Sequence, residues 1–130
     1  MYELLTLGID EENLRYMIES NYNIEDLSEE EIIEKIELLK LLRLDDKKIK
    51  NILVGNPWYL DRCTTDVIGM INKLMEIGID SIGLLIYDNP MLLNVDVFEI
   101  ENFIKNKQEE KYTMEDIVSM IEEDSNIITE

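Results

Sequence analysis

Residues 77–93 read IGIDSIGLLIYDNPMLL, and this stretch decides the fold. Gly78 suits the left-handed exit of a preceding helix, and Asp80 suits the N-cap of the next one. Pro90 has no backbone N–H and opposes helical geometry in Asn89 before it. The stretch therefore predicts a short helix between two stops.

Four segments of the chain share one pattern: an apolar residue, two further residues, two apolar residues, two further residues, then Asn or Asp. The i, i+3, i+4 spacing places the apolar side chains on one helical face, and we interpret the final Asn or Asp as a left-handed terminator. The last apolar residues, Ile18, Leu53, Ile86 and Ile121, lie 35, 33 and 35 residues apart and are expected to be equivalent buried core positions. The copies are Leu14, Met17, Ile18 and Asn21; Ile49, Ile52, Leu53 and Asn56; Ile82, Leu85, Ile86 and Asn89; and Ile117, Met120, Ile121 and Asp124.

The segments that flank the short helices also repeat. The only two prolines, Pro57 and Pro90, make the chain turn so that a following leucine can tuck back under the helix. An aliphatic residue returns at this point in every copy: Ile24, Leu60, Leu92 or Leu93, and Ile127 or Ile128. The expected N-caps are Asp10, Asp45, Asp80 and Thr113, and the expected left-handed exits are Gly8 and Gly78.

Longer helices are predicted between the short ones. They cover 29–42, which opens with a capping box of Ser28 and Glu31, then 65–77, behind Thr64 or Thr65, and 96–107, while residues 2–7 form the end of another long helix. The chain is therefore predicted to be all-α, with a unit of short helix, tight turn and long helix and a period of about 35 residues. We expect a single domain, 1–130, with repeat cores near 10–24, 45–60, 80–93 and 113–128 stacked into a small curved solenoid.

The unit resembles the repeat of the mitochondrial transcription termination factor (mTERF) family. The match is closest in residues 77–93, followed by LRLDDKKIKNILVGNPWYL at 42–60, while the outer copies are degenerate. The resemblance implies a right-handed, all-helical solenoid whose basic concave face holds nucleic acid. It implies no catalytic residues.

The charge departs from that family. The chain has 30 acidic and 12 basic residues, a net charge of −18, so duplex nucleic acid should be repelled and is disfavoured as a partner. Residues 43–62 are the exception, with five basic side chains against three acidic ones. The basic side chains are Arg43, Lys47, Lys48, Lys50 and Arg62, and the only Trp, Trp58, lies among them in sequence.

The rest of the composition excludes several function classes. There is no His, the commonest general base and metal ligand, and Cys63 is alone, so no internal disulfide can form. No segment predicts catalysis, a cofactor, a metal site or a membrane span. The absence of Ala beside abundant Ile, Asn, Glu and Lys indicates an AT-rich genome, and we expect a cytoplasmic protein of a low-GC bacterium or of one of its phages or plasmids.

Two groups of residues are candidates for binding a partner. The first is Trp58 and Tyr59 with Arg43, Lys47 and Lys50, although Trp58 could instead seal the gap between repeats. The second is the acidic run 25–37, which could imitate nucleic-acid phosphates but could also be a solvated helix face. Its candidate residues are Glu29, Glu30 and Glu34.

These observations favour a non-enzymatic, acidic module that binds a protein partner. One alternative is a nucleic-acid-binding regulator of the mTERF type that uses the 43–62 patch. Another is a DNA mimic that inhibits a nucleic-acid-binding protein. A homodimer that buries an end of the repeat array also stays open.

Overall fold

The chain is entirely helical. A computed structural model describes all residues from 1 to 130, and none of them lies in a strand, so the predicted all-α class is confirmed. Eight α-helices are arranged in four pairs, and a 3₁₀ turn follows each pair. The helices are α1 (Tyr2–Thr6), α2 (Glu11–Ser20), α3 (Glu29–Leu41), α4 (Asp46–Gly55), α5 (Thr64–Ile77), α6 (Ile82–Asp88), α7 (Val97–Glu109) and α8 (Met114–Glu123). Turns 1 to 4 are Tyr22–Asp26, Pro57–Asp61, Pro90–Asn94 and Ser125–Thr129.

The structure divides into two compact units, Met1–Thr64 and Thr65–Glu130. In the first unit, α1 packs on α3, α2 packs on α4, and turn 2 contacts both α2 and α3. In the second unit, α7 packs on α8 and on turn 4. The single domain and the right-handed solenoid stay predictions.

The long helices lie where the apolar pattern places them. They were expected at 29–42, 65–77 and 96–107, and they begin and end within two residues of those bounds. At Gly69 in α5, a Cβ atom would lie 3.3 Å from Val97 Cγ2 at the start of α7. That glycine therefore permits a close approach of two helices.

The left-handed residues end the long helices and not the short ones. Gly8 and Gly78 have φ of 102° and 108°, as predicted, and Arg43 and Lys111 take the same role at 65° and 76°. The residues that end the short helices have strongly negative φ instead. Their φ values are −143° at Asn21, −142° at Asn56, −140° at Asn89 and −156° at Asp124. The left-handed assignment of these four residues was wrong, because each leads directly into a 3₁₀ turn.

Most of the predicted caps form. The side chains of Asp10, Asp45, Thr113 and Ser28 each accept a hydrogen bond from the backbone N–H three residues later. Asp80 was predicted wrongly as a cap, because α6 begins at Ile82 and its N-cap is therefore Ser81. That residue makes no side-chain capping bond.

The last apolar position of the repeat is buried in three of the four copies. Leu53, Ile86 and Ile121 are fully buried, but Ile18 is only half-buried, so the predicted equivalence of these four positions was wrong for the first copy. Met17 is the buried residue there. The aliphatic residues that return after the short helices are buried at Ile24, Leu60, Leu92, Leu93 and Ile128.

We expect Leu53→Ala to destabilise the chain by roughly 2 to 5 kcal/mol, because truncation leaves a cavity in a packed interior. Ile86→Ala should behave in the same way. Half-buried Ile18 supplies a control, since Ile18→Ala should cost clearly less. Urea unfolding followed by circular dichroism measures all three, and losses below about 1 kcal/mol at both central sites would contradict this core.

Candidate partner-binding surface

Hydrogen bonds from Asn21, the residue that ends α2, fix the position of turn 2. Asn21 Nδ2 donates to the Pro57 carbonyl at 3.2 Å and to Asp61 Oδ1 at 3.0 Å. Asn23 Nδ2 donates to the other oxygen of the same carboxylate at 2.8 Å. These bonds fix both ends of the turn, so the residues between them project in defined directions.

The second unit repeats this arrangement at turn 4. Asn89 Nδ2 donates to Ser125 Oγ at 2.8 Å and to Asn126 Oδ1 at 3.1 Å. Asn21 and Asn89 therefore each bond to the turn of the following repeat, about 36 residues away along the chain.

Trp58 and Tyr59 point to opposite sides of turn 2. Trp58 is 43% exposed, whereas Tyr59 is completely buried. The Tyr59 hydroxyl donates to the Lys35 carbonyl at 2.8 Å, and burial raises the pKa of that hydroxyl well above its ordinary value. Tyr59 is therefore a core residue, and its inclusion in the contact surface was wrong. Trp58 remains available to a partner.

Lys35 completes a reciprocal contact between α3 and turn 2. Its side chain is buried, and Nζ donates to the Leu60 carbonyl at 3.4 Å. Burial lowers the pKa of Lys35, while the nearby Glu34 carboxylate acts in the opposite direction. Sequence reasoning missed this residue. The repeat itself carries the signal, because the equivalent positions hold buried Met70 and Phe103.

The basic side chains of residues 43–62 differ in their exposure and in their ion pairs. Lys47 and Lys50 lie three residues apart on α4, with Lys47 exposed and Lys50 half-exposed. Lys48 Nζ lies 3.7 Å from Asp45 Oδ2 and is partly neutralised. Arg43 is exposed on the left-handed residue just before this helix. The cationic surface is therefore small, and the carboxylates of Asp45 and Asp46 lie next to it in sequence.

The acidic candidates on α3 are not a uniform surface. Glu29 accepts hydrogen bonds from the amine of Met1 and from the backbone N–H groups of Tyr2 and Glu3, at 2.9 and 3.1 Å. The bond to the N-terminal amine, then that to Glu3, lower the pKa of Glu29. Its carboxylate thus joins α1 to α3.

The other two acidic candidates differ from each other. Glu34 accepts a hydrogen bond from the hydroxyl of Thr64, the first residue of α5, so it has a structural partner as well. Glu30 is exposed. Partner binding by Trp58, Arg43, Lys47, Lys50 and the three glutamates stays a prediction.

The remaining surface offers no clear chemical centre. No group of three His, Cys, Asp or Glu side chains comes together to hold a metal ion, and no helix is long and apolar enough to cross a membrane. Two adjoining cavities of about 240 and 410 Å³ lie between α7 and turn 4. Carboxylate and amide side chains, with Phe103 and Ile128, line the smaller one.

These features define an all-helical repeat protein with asparagine-held turns. The mTERF family model matches residues 2–129, and the chain belongs to that family. A search of curated proteins finds no relative that matches the chain. Membership confirms the resemblance in residues 42–93 and extends it to the outer copies.

We expect Lys35→Met to stabilise the protein by about 1 kcal/mol or more, because it replaces a buried charge with the residue found at the equivalent position 70. The reverse change, Met70→Lys, is the control and should cost about 3 kcal/mol or more. Urea unfolding near neutral pH measures both. A destabilised Lys35→Met variant would show that the bond to Leu60 outweighs the burial of the charge.

The stability difference between Lys35→Met and the parent should also depend on pH. Because the folded-state pKa of Lys35 is below its ordinary value of 10.5, the unfolded chain binds more protons between these two pKa values. This group therefore adds stability as the pH rises through that window. The advantage of Lys35→Met over the parent should narrow as the pH approaches 10.5, as measured by unfolding at several pH values.

Proposed function

We propose that this chain is a non-enzymatic, cytoplasmic member of the mTERF family that binds another protein. The observation that carries the proposal is the net charge of −18. A phosphate backbone attracts proteins that supply Lys and Arg in place of counterions, and here acidic residues outnumber basic ones by 30 to 12. A protein partner does not require that exchange.

Trp58 is the centre of the proposed contact surface. A large aromatic side chain contributes most to affinity when it is rigid before binding, since little conformational entropy is then lost. Asn21 supports this requirement by bonding to the carbonyl of Pro57, the residue just before Trp58. Lys47 and Lys50 would provide a polar rim that influences the rate of association.

The first test is affinity capture from the source organism, with and without nuclease treatment, followed by binding kinetics with the captured protein. Trp58→Ala should increase the dissociation rate at least about tenfold, because it removes the central anchor of the surface. Met91 is a matched control, because it occupies the equivalent place in turn 3 and is 44% exposed. Unchanged dissociation for Trp58→Ala, or an equal effect of Met91→Ala, would overturn the proposal.

A nucleic-acid-binding regulator is the second candidate function, and family membership favours it. Its contact would be the Lys47 and Lys50 face of α4, together with Arg43. The flanking carboxylates of Asp45 and Asp46 and the acidity of the whole chain oppose such binding.

We expect no appreciable binding of duplex DNA at about 150 mM salt, because net repulsion outweighs this small patch. Fluorescence anisotropy with labelled duplex and single-stranded nucleic acid measures it. Micromolar or tighter binding that Lys47→Glu with Lys50→Glu weakens would promote the second candidate.

The third candidate, a DNA mimic, draws on the 12 acidic residues among positions 1–42. It requires affinity that falls steeply as salt rises, and slower association after Glu29, Glu30 and Glu34 are changed to Gln. The contacts that Glu29 and Glu34 make within the first unit weaken this candidate, because those carboxylates already stabilise the fold.

A further inference from the structure

The outer face of α5 carries an uncharged stripe. Thr65, Ile68, Asn72 and Met75 are all exposed, and they follow one another at spacings of three, four and three residues. This is the spacing of the contact seam in a two-stranded coiled coil. Ile68 and Met75 are 41% and 58% exposed, so two large apolar side chains lie in water on one face of the helix.

The equivalent stripes on the other two long helices carry charge. Because the repeat places α3 35 residues before α5 and α7 33 residues after it, the positions can be compared directly. The stripe on α3 is Glu30, Ile33, Glu37 and Lys40, and that on α7 is Phe98, Glu101, Lys105 and Gln108. Charged side chains suit a solvated helix face. Their absence from the four stripe positions of α5 therefore distinguishes this stripe from its two counterparts.

We propose that two copies of this chain associate through α5, with Asn72 of each copy facing the other across a two-fold axis. The proposal does not rest on the Trp58 surface. Self-association of chains that each carry −18 requires a contact face without carboxylates, because like charges opposed across an interface are unfavourable. The four residues of the α5 stripe meet that requirement, and the exposed carboxylate one turn after Asn72, that of Glu76, lies 3.7 Å from Lys73 Nζ and is partly neutralised.

Asn72 favours a second copy of this chain, and not an unrelated helix, as the partner of α5. A side-chain amide both donates and accepts hydrogen bonds, so two symmetry-related amides can satisfy each other. A single Asn at this kind of seam position fixes register and favours a defined oligomer at some cost in stability. A partner with a basic helix would need carboxylates to pair with, and the stripe offers none.

The dimer should be weak and should strengthen with salt. A seam of four residues on a helix of 14 residues buries less than the roughly 1,200 Å² that marks the low end of stable interfaces. Salt screens the repulsion between the acidic surfaces of the two copies outside the stripe. It does not weaken the hydrophobic burial of Ile68 and Met75.

Sedimentation equilibrium tests the proposal over concentrations up to about 500 μM, at about 50 mM and about 500 mM NaCl. We expect a monomer–dimer equilibrium that is tighter at high salt. Ile68→Glu should raise the dimer dissociation constant at least about tenfold, because it places a carboxylate in the seam. Ile33→Glu is the matched control, because Ile33 is 37% exposed at the equivalent position of α3. The two substitutions add the same charge. A monomer at every concentration, or equal effects of the two changes, would overturn the proposal.

Oxidative cross-linking provides an independent measurement. With Cys63 changed to Ser, Asn72→Cys should form a disulfide-linked dimer readily, because a residue on the two-fold axis brings its two Cα atoms within about 7 Å. Glu37→Cys, at the equivalent position of α3, should cross-link at least about tenfold more slowly. Equal rates would overturn the two-fold contact at Asn72. Trp58→Ala should change neither measurement, so failure here can be distinguished from failure of the proposed function.

Discussion

Turns 2 and 4 depend on one kind of contact, the side-chain amide at the end of the short helix one repeat earlier. Asn21 has to end α2 in an extended conformation so that Nδ2 can reach the Pro57 carbonyl and the Asp61 carboxylate. Asn21 is itself buried, and every buried side-chain nitrogen and oxygen in the protein has a hydrogen-bond partner. Loss of such a partner would leave a desolvated polar group, at a cost of about 1 to 3 kcal/mol. Asn89, which is half-buried, makes the equivalent bonds in the second unit with different acceptors.

The local parts of the fold could be predicted from the sequence, and the errors have a common cause. Helix periodicity, the exits at Gly8 and Gly78 and the caps at Asp10 and Thr113 depend on residues within a few positions of each other, so the printed order is enough to find them. The conformation of Asn21 could not be found in this way, because its partners lie 36 and 40 residues along the chain. A local rule for asparagine then favoured the left-handed region.

For the candidate surface too, local sequence was not enough to predict which side chains are buried. Exposed Trp58 and buried Tyr59 are neighbours, and composition alone cannot tell which of them faces the core. Lys35 was missed because a charged residue in a helix is ordinarily assigned to solvent, and only comparison with Met70 places it in the interior. The repeat is therefore more informative than residue type, since it transfers burial from one copy to the next.

Arg43 illustrates a conflict between backbone geometry and charge. The four exits from long helices all require positive φ, and two of them are glycine, which adopts it without strain. Arg43 and Lys111 adopt it with a Cβ atom, and αL conformations of non-glycine residues cost on the order of 1 kcal/mol. A glycine at either position would relax the backbone but would also remove one of only 12 cationic side chains. At these two residues, backbone strain and positive charge therefore favour different side chains.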